Sequence, residues 1–192
     1  MNYRSVLLLL SFLDSSVLFA IKPVPSFEIS SHISTAYGYR ISFDKGGNRG
    51  IIILQFDFDI LCGRRDNKSF GIGLKSYLGT FDFDTLSFSL GAQFLFPISD
   101  ILPFMISLLQ LIDFSFVEDS FGIGGELQLW LGVRPHNYYF IYNHSIGIKL
   151  SLLFLSYLFK EEDKVLMISV GIDIDSFFIL VYPLLYLYQR LK

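Results

Sequence analysis

The stretch from Phe27 to Phe43, FEISSHISTAYGYRISF, alternates in character residue by residue. The odd positions carry Phe27, Ile29, Ser31, Ile33, Thr35, Tyr37, Tyr39, Ile41 and Phe43. The even positions carry Glu28, Ser30, His32, Ser34, Ala36, Gly38, Arg40 and Ser42. A period of two marks a β-strand, because successive side chains leave it on opposite faces. One face here is oily and aromatic, and the other is small or charged. The turn residues Asp44-Lys45-Gly46-Gly47-Asn48 follow.

The same alternation recurs along the chain. Ile52, Leu54, Phe56, Phe58 and Ile60 oppose Gln55, Asp57 and Asp59. Phe70, Ile72 and Leu74 oppose Gly71, Gly73 and Lys75, and a turn falls near Asp82 to Thr85. Leu86 to Phe96 oppose Ser87, Ser89, Gly91 and Gln93, and Pro97 to Asp100 turns the chain. Phe104 to Phe116 form an oilier fifth segment, with Ser107, Asp113 and Ser115 on its other face. Phe121 to Val133 oppose Gly122, Gly124, Glu126, Gln128, Trp130 and Gly132. After a turn at Pro135 to Asn137, a run from Tyr138 to Phe159 sets Ile146, Ile148 and Leu150 against Ser145, Gly147, Lys149 and Ser151. Beyond the charged loop Lys160 to Lys164, Leu166 to Ile174 oppose Ser169, Gly171, Asp173 and Asp175.

These runs predict an all-β fold of eight antiparallel strands with connectors of about four to seven residues. The run Tyr138 to Phe159 and the run from Val165 to Tyr188 are long. Splitting both gives ten strands, the alternative count. The chain is 52% hydrophobic and 17% charged, short of the roughly 25% charged residues of soluble domains. No window of about 20 apolar residues follows the N-terminal segment, so the chain does not read as a bundle of membrane helices. A water-facing sheet surface carries many Lys and Glu. The polar face here is instead rich in Gly, Ser and Ala, which suits a narrow lumen. The expectation is therefore an up-and-down β-barrel embedded in a membrane, apolar side out and polar side in.

Residues 1–20 read as a secretory signal peptide, with Arg4 in the n-region, an apolar run from Val6 to Leu13, and Ala20 before the cut. Residues 21–192 then form the barrel domain. The single cysteine, Cys62, excludes a disulfide framework. A net charge of −3 leaves no basic field for nucleic acid. No cofactor or metal motif is present; Gly71-x-Gly73 and Gly122-x-Gly124-Gly125 precede no helix, as a phosphate loop requires.

The charges that parity assigns to the lumen are Glu28, Arg40, Asp57, Asp59, Lys75, Asp113, Glu126, Lys149 and Asp173. Buried charges must be paired, so these form a network that either plugs the barrel or tunes a narrow pore. Carboxylates outnumber bases in the set, so a pore would favour cations.

In general plan the chain resembles the small eight-stranded outer-membrane barrels of diderm bacteria, over the whole mature length. The resemblance implies residence in the bacterial outer membrane, with the lipid bilayer and the outer-membrane assembly machinery as partners and small ions or solutes as possible cargo. That class ends in Phe or Trp as an assembly signal, whereas this chain ends Tyr186-Leu187-Tyr188-Gln189-Arg190-Leu191-Lys192. The expected role is non-enzymatic, a structural barrel or a porin-like channel. A surface-interaction (adhesin) barrel is the alternative. Some outer-membrane barrels hydrolyse lipids with a His-x-Ser strand motif, which His32-Ile33-Ser34 matches in spacing; parity, however, turns both side chains inward. Asn143-His144-Ser145 fits less well, because strand neighbours point to opposite faces.

Overall fold

The computed structural model describes residues 26–44, 47–64, 68–99, 102–117, 119–134, 145–158 and 163–176. Eight strands follow one another: β1 (Ser26–Ser42), β2 (Arg49–Arg64), β3 (Gly71–Phe81), β4 (Thr85–Pro97), β5 (Pro103–Ser115), β6 (Ser120–Val133), β7 (Ile146–Tyr157) and β8 (Asp163–Asp175). Each pairs antiparallel with its neighbours in sequence, and β1 pairs with β8 from His32↔Asp175 to Ser42↔Val165. That last pairing closes the sheet into a barrel. It also decides between eight and ten: with both outer strands engaged, the sheet has no free edge to which a ninth or tenth strand could add. The closed, all-β, up-and-down barrel of eight strands expected from the alternation is the one observed.

Burial follows the pleat. In β5, Pro103, Met105, Ser107, Leu109, Leu111, Asp113 and Ser115 are buried, while the residues between them are exposed or half-exposed. The same alternation holds in β2, where Ile52, Leu54, Phe56 and Phe58 lie on the exposed face. The oily face points out on all eight strands. It carries Tyr37, Phe56, Leu74, Phe88, Leu108, Ile123, Leu152 and Val170, one from each strand and each at least 45% exposed.

Apolar side chains share the inward face with the polar ones towards both rims. Near the rim formed by the β1–β2, β3–β4, β5–β6 and β7–β8 hairpins, the interior is filled by Ile51, Ile53, Phe81, Leu111, Leu155, Val165 and Met167. Near the opposite rim, where β1 begins and β8 ends, it is filled by Leu61, Leu95, Met105 and Trp130. Glycines make room in this narrow interior. A Cβ at Gly73, Gly91 or Gly124 would run into the carbonyl oxygen of Ile60, Leu108 or Phe154. One at Gly147 would press on the Trp130 indole, 2.7 Å from its Nε1.

The β3–β4 hairpin turns on Asp82 (φ 53°) and Phe83 (φ 62°). The Asp84 N–H donates to the Phe81 carbonyl at 3.0 Å. Two consecutive left-handed residues define a type I′ turn, whose twist matches that of the strands it joins. Phe83 is an unusual occupant and is 70% exposed.

Several connector expectations need correction. Residues 134–145 separate β6 from β7, twelve rather than about seven. Tyr138, Phe140 and Tyr142 mimic the strand parity of β7 but precede it and lie outside the described residues. The charged loop is shorter than expected, since β8 begins at Asp163. The signal peptide (1–20) and the C-terminal run after Ser176, including Tyr188, also lie outside the described residues.

Candidate functional site

The middle of the lumen holds most of the charges assigned there by parity. Asp57 from β2 is the centre of one group. The Lys149 ammonium donates to its Oδ2 at 3.0 Å, Lys75 lies 3.3 Å from its Oδ1, and the Ser34 hydroxyl donates to it at 2.9 Å. Lys149 also donates to Ser34 and to the Gln55 carbonyl oxygen, each at 2.5 Å. Strands β1, β2, β3 and β7 are tied together through this one carboxylate.

Asp59, two residues along β2 on the same face, is the centre of a second group. Arg134 donates to both its oxygens at 2.9 Å, a two-point clasp. The Ser30 hydroxyl donates to it at 2.6 Å. Arg134 Nε also lies 4.0 Å from Glu28 Oε2. His32 sits between Asp59 (3.6 Å from Nε2) and Asp173 (3.4 Å from Nδ1). Glu126 accepts from two neutral donors, the Tyr77 hydroxyl at 2.6 Å and the Gln128 amide at 2.8 Å.

Arg40 and Asp113 stand apart from this network, at the hairpin rim. Arg40 pairs with Asp163 at 3.8 Å and lies over the Tyr157 ring, 5.7 Å from its centroid. Asp113 accepts from Tyr157 at 2.7 Å and from Ser87. A cavity of about 70 Å³ opens beside them, lined among others by Arg40, Arg49, Asp82, Asp84 and Tyr157. Seven of the nine assigned charges therefore share one mid-lumen cluster, and two belong to a separate rim cluster.

Sequence reasoning misses Arg134, the largest fully buried side chain among the described residues. The turn signal at Pro135 hides it. A signal was available, because Arg134 continues the even parity of Glu126, Gln128, Trp130 and Gly132. The neutral donors Tyr77, Tyr157 and Gln128 carry no charge and are not legible as partners.

The His-x-Ser motif does not assemble into a catalytic pair. Ser34 is engaged with Asp57 and Lys149, not with His32. The hydroxyl beside His32 is that of Ser145, 3.1 Å from Nδ1 and 3.4 Å from Nε2. An oxygen nearly equidistant from both ring nitrogens is in line with neither N–H, so this Ser–His–Asp grouping lacks the directed hydrogen bond of a nucleophile and its base. All three groups are buried in the lumen, away from the outward face. Among the described residues, no three His, Cys, Asp or Glu side chains are arranged to hold a metal ion.

Among the described residues, side chains pack the interior closely. Leu61 and Leu95 near one rim, Leu111, Leu155 and Val165 near the other, and Asp57 between them are each 0% exposed. Side chains lining an aqueous bore would present accessible area to it.

No family model matches the chain, and no curated protein matches it. Among solved structures, the crystal structure of Neisserial surface protein A is similar at 13% sequence identity and a TM-score of 0.32, over 76% of this chain and 97% of that one. A likeness this loose adds nothing to the strand pairing, on which the fold stands by itself.

Proposed function

We propose that this protein is an integral outer-membrane barrel with a structural, non-enzymatic role, its lumen sealed by its own side chains rather than open as a channel. The carrying observation is the outward face. Across all eight strands it is apolar at nearly every described mid-strand position, while paired charges fill the inside. In β4 the apolar face runs from Leu86 to Phe96. At about 3.3 Å per residue and a tilt near 40°, ten steps rise roughly 25 Å, the height of the apolar band of membrane barrels. Aromatic rings gather towards the ends of that band, with Phe70 stacked edge-on against Phe96 at 5.1 Å at one end and Phe114 near Phe121 at 5.0 Å at the other. Such rings suit the headgroup level at each interface.

The full burial of Leu61, Leu95, Asp57, Leu111, Leu155 and Val165 along the interior supports a sealed barrel over the cation-favouring pore. The test is refolding into phosphatidylcholine vesicles, followed by gel mobility with and without boiling and by planar-bilayer recording. The expected results are faster migration of the unboiled form and no steady conductance. Identical mobility with helical circular dichroism would refute the membrane barrel, and stepwise cation conductance would refute the sealed lumen.

A further inference from the structure

We propose that two copies of this barrel associate in the membrane through the outer face of β5 and β6, with Gln110 and Gly125 at the centre of a two-fold interface. The inference rests on the membrane reading above. Among the outward positions of the described strands, Gln110 is the one side-chain amide, and no charged side chain shares the middle of that face. It is exposed, and no hydrogen bond to its amide is present among the described residues. It lies five residues from Ser115, the nearer end of β5. With the rise and tilt used above, that places it roughly 13 Å below the rim. A glutamine side chain cannot reach the headgroups from there. In hydrocarbon, an amide without a partner is costly, and polar groups at that depth are kept where they bond across an interface.

The second observation is the residue opposite. Gly125 is the register partner of Gln110 on β6 and faces outward. The inward glycines are required by crowding, as Gly73, Gly91 and Gly124 illustrate. Gly125 is not: a Cβ there would meet the Leu109 carbonyl oxygen at 3.6 Å, an ordinary contact. Its φ is not among the positive ones. Nothing inside one barrel calls for the missing side chain, and glycine weakens a strand. What it leaves is a notch beside an unpaired amide on an otherwise oily wall.

A second copy supplies both missing halves. The amide is its own electrostatic complement, since the carbonyl oxygen of one Gln110 faces the NH₂ of the other across a two-fold axis. An isologous contact makes both bonds at once. The notches over the two Gly125 residues let the walls approach closely enough for the short side chains to meet, as small residues do at membrane interfaces.

The experiment is energy transfer between barrels carrying donor or acceptor dyes at Cys62, the single cysteine, labelled unfolded and refolded into phosphatidylcholine vesicles at rising lipid-to-protein ratios. Wild type should show transfer that falls on lipid dilution. Gln110→Leu, which keeps the side chain's bulk, should weaken the dimer about tenfold, from the loss of two membrane hydrogen bonds. Gly125→Leu, whose Cβ meets only an ordinary contact in the single barrel, should weaken it at least as much. Transfer no greater than random proximity for wild type, or a dimer unaffected by Gln110→Leu, would overturn the proposal. Gel mobility on the same samples keeps the two readings apart: a barrel that folds into lipid but stays monomeric refutes the dimer alone, whereas a chain that never inserts refutes the membrane reading beneath it.

Discussion

Removing the Arg134 guanidinium should be among the most costly single changes in this barrel. The side chain is fully buried, clasps both oxygens of Asp59 at 2.9 Å and approaches Glu28 at 4.0 Å. Arg134→Met keeps the apolar stem and deletes the charge, leaving two buried carboxylates without their cation. Breaking a buried pair in this way costs about 3–5 kcal/mol. Asp59 retains the Ser30 hydroxyl at 2.6 Å and His32 at 3.6 Å, so the lower end, about 3 kcal/mol, is expected. That is about two orders of magnitude in the folding equilibrium. The readout is built in. Trp130 is the single tryptophan, and it packs with Met105, whose sulfur the Arg134 guanidinium touches at 3.7 Å. Urea titration in vesicles, followed by its fluorescence, reports unfolding next to the change. Asp59→Asn in the Arg134→Met background should recover part of the loss, because it removes the orphaned charge. A single-variant cost below about 1 kcal/mol, or effects that simply add within about 0.5 kcal/mol, would refute the ion-pair reasoning.

Three more substitutions probe other parts of the barrel. Tyr77→Phe removes the hydroxyl that donates to buried Glu126 at 2.6 Å; the expected loss is about 1–3 kcal/mol by urea titration. Gly147→Ala drives a methyl group into the Trp130 indole; it should cost about 1–3 kcal/mol and shift the tryptophan emission, and an unchanged spectrum would contradict the packing. Phe83→Gly relieves a left-handed backbone at a bulky residue; it should raise stability in detergent by about 1 kcal/mol, and a loss would mean that the exposed ring is anchored in the membrane interface.

Much of the fold is legible in the sequence because alternation is a local property. Parity in FEISSHISTAYGYRISF sorts Glu28, Ser30, His32 and Ser34 to one side of β1 without any knowledge of β2 or β8. The same parity places all nine charges on the inward face. Where a neighbouring turn signal interrupts parity, the inference fails, and Arg134 is lost to Pro135. It also runs on where no described strand exists, through Tyr138, Phe140 and Tyr142. The apolar plugs are illegible for a different reason. Met105, Leu109, Leu111, Leu153 and Leu155 share the inward face with the polar residues but resemble their outward neighbours, so in the oilier segments the two faces cannot be told apart by character.

Alternation alone fixes which residues of a strand share a face, because a pleated strand has no other way to arrange its side chains, and charges such as Asp57 and Asp59 mark which face turns inward. How many strands close the sheet and which charges meet emerge only from the folded barrel. Those depend on register. Asp59 meets Arg134 across 75 residues of chain, and Ser145 rather than Ser34 reaches His32, because pairing around a closed barrel brings to one height residues that no local pattern links. The same closure stacks leucines at both rims over a charged middle, and it seats Gln110 beside Gly125 on the outer wall.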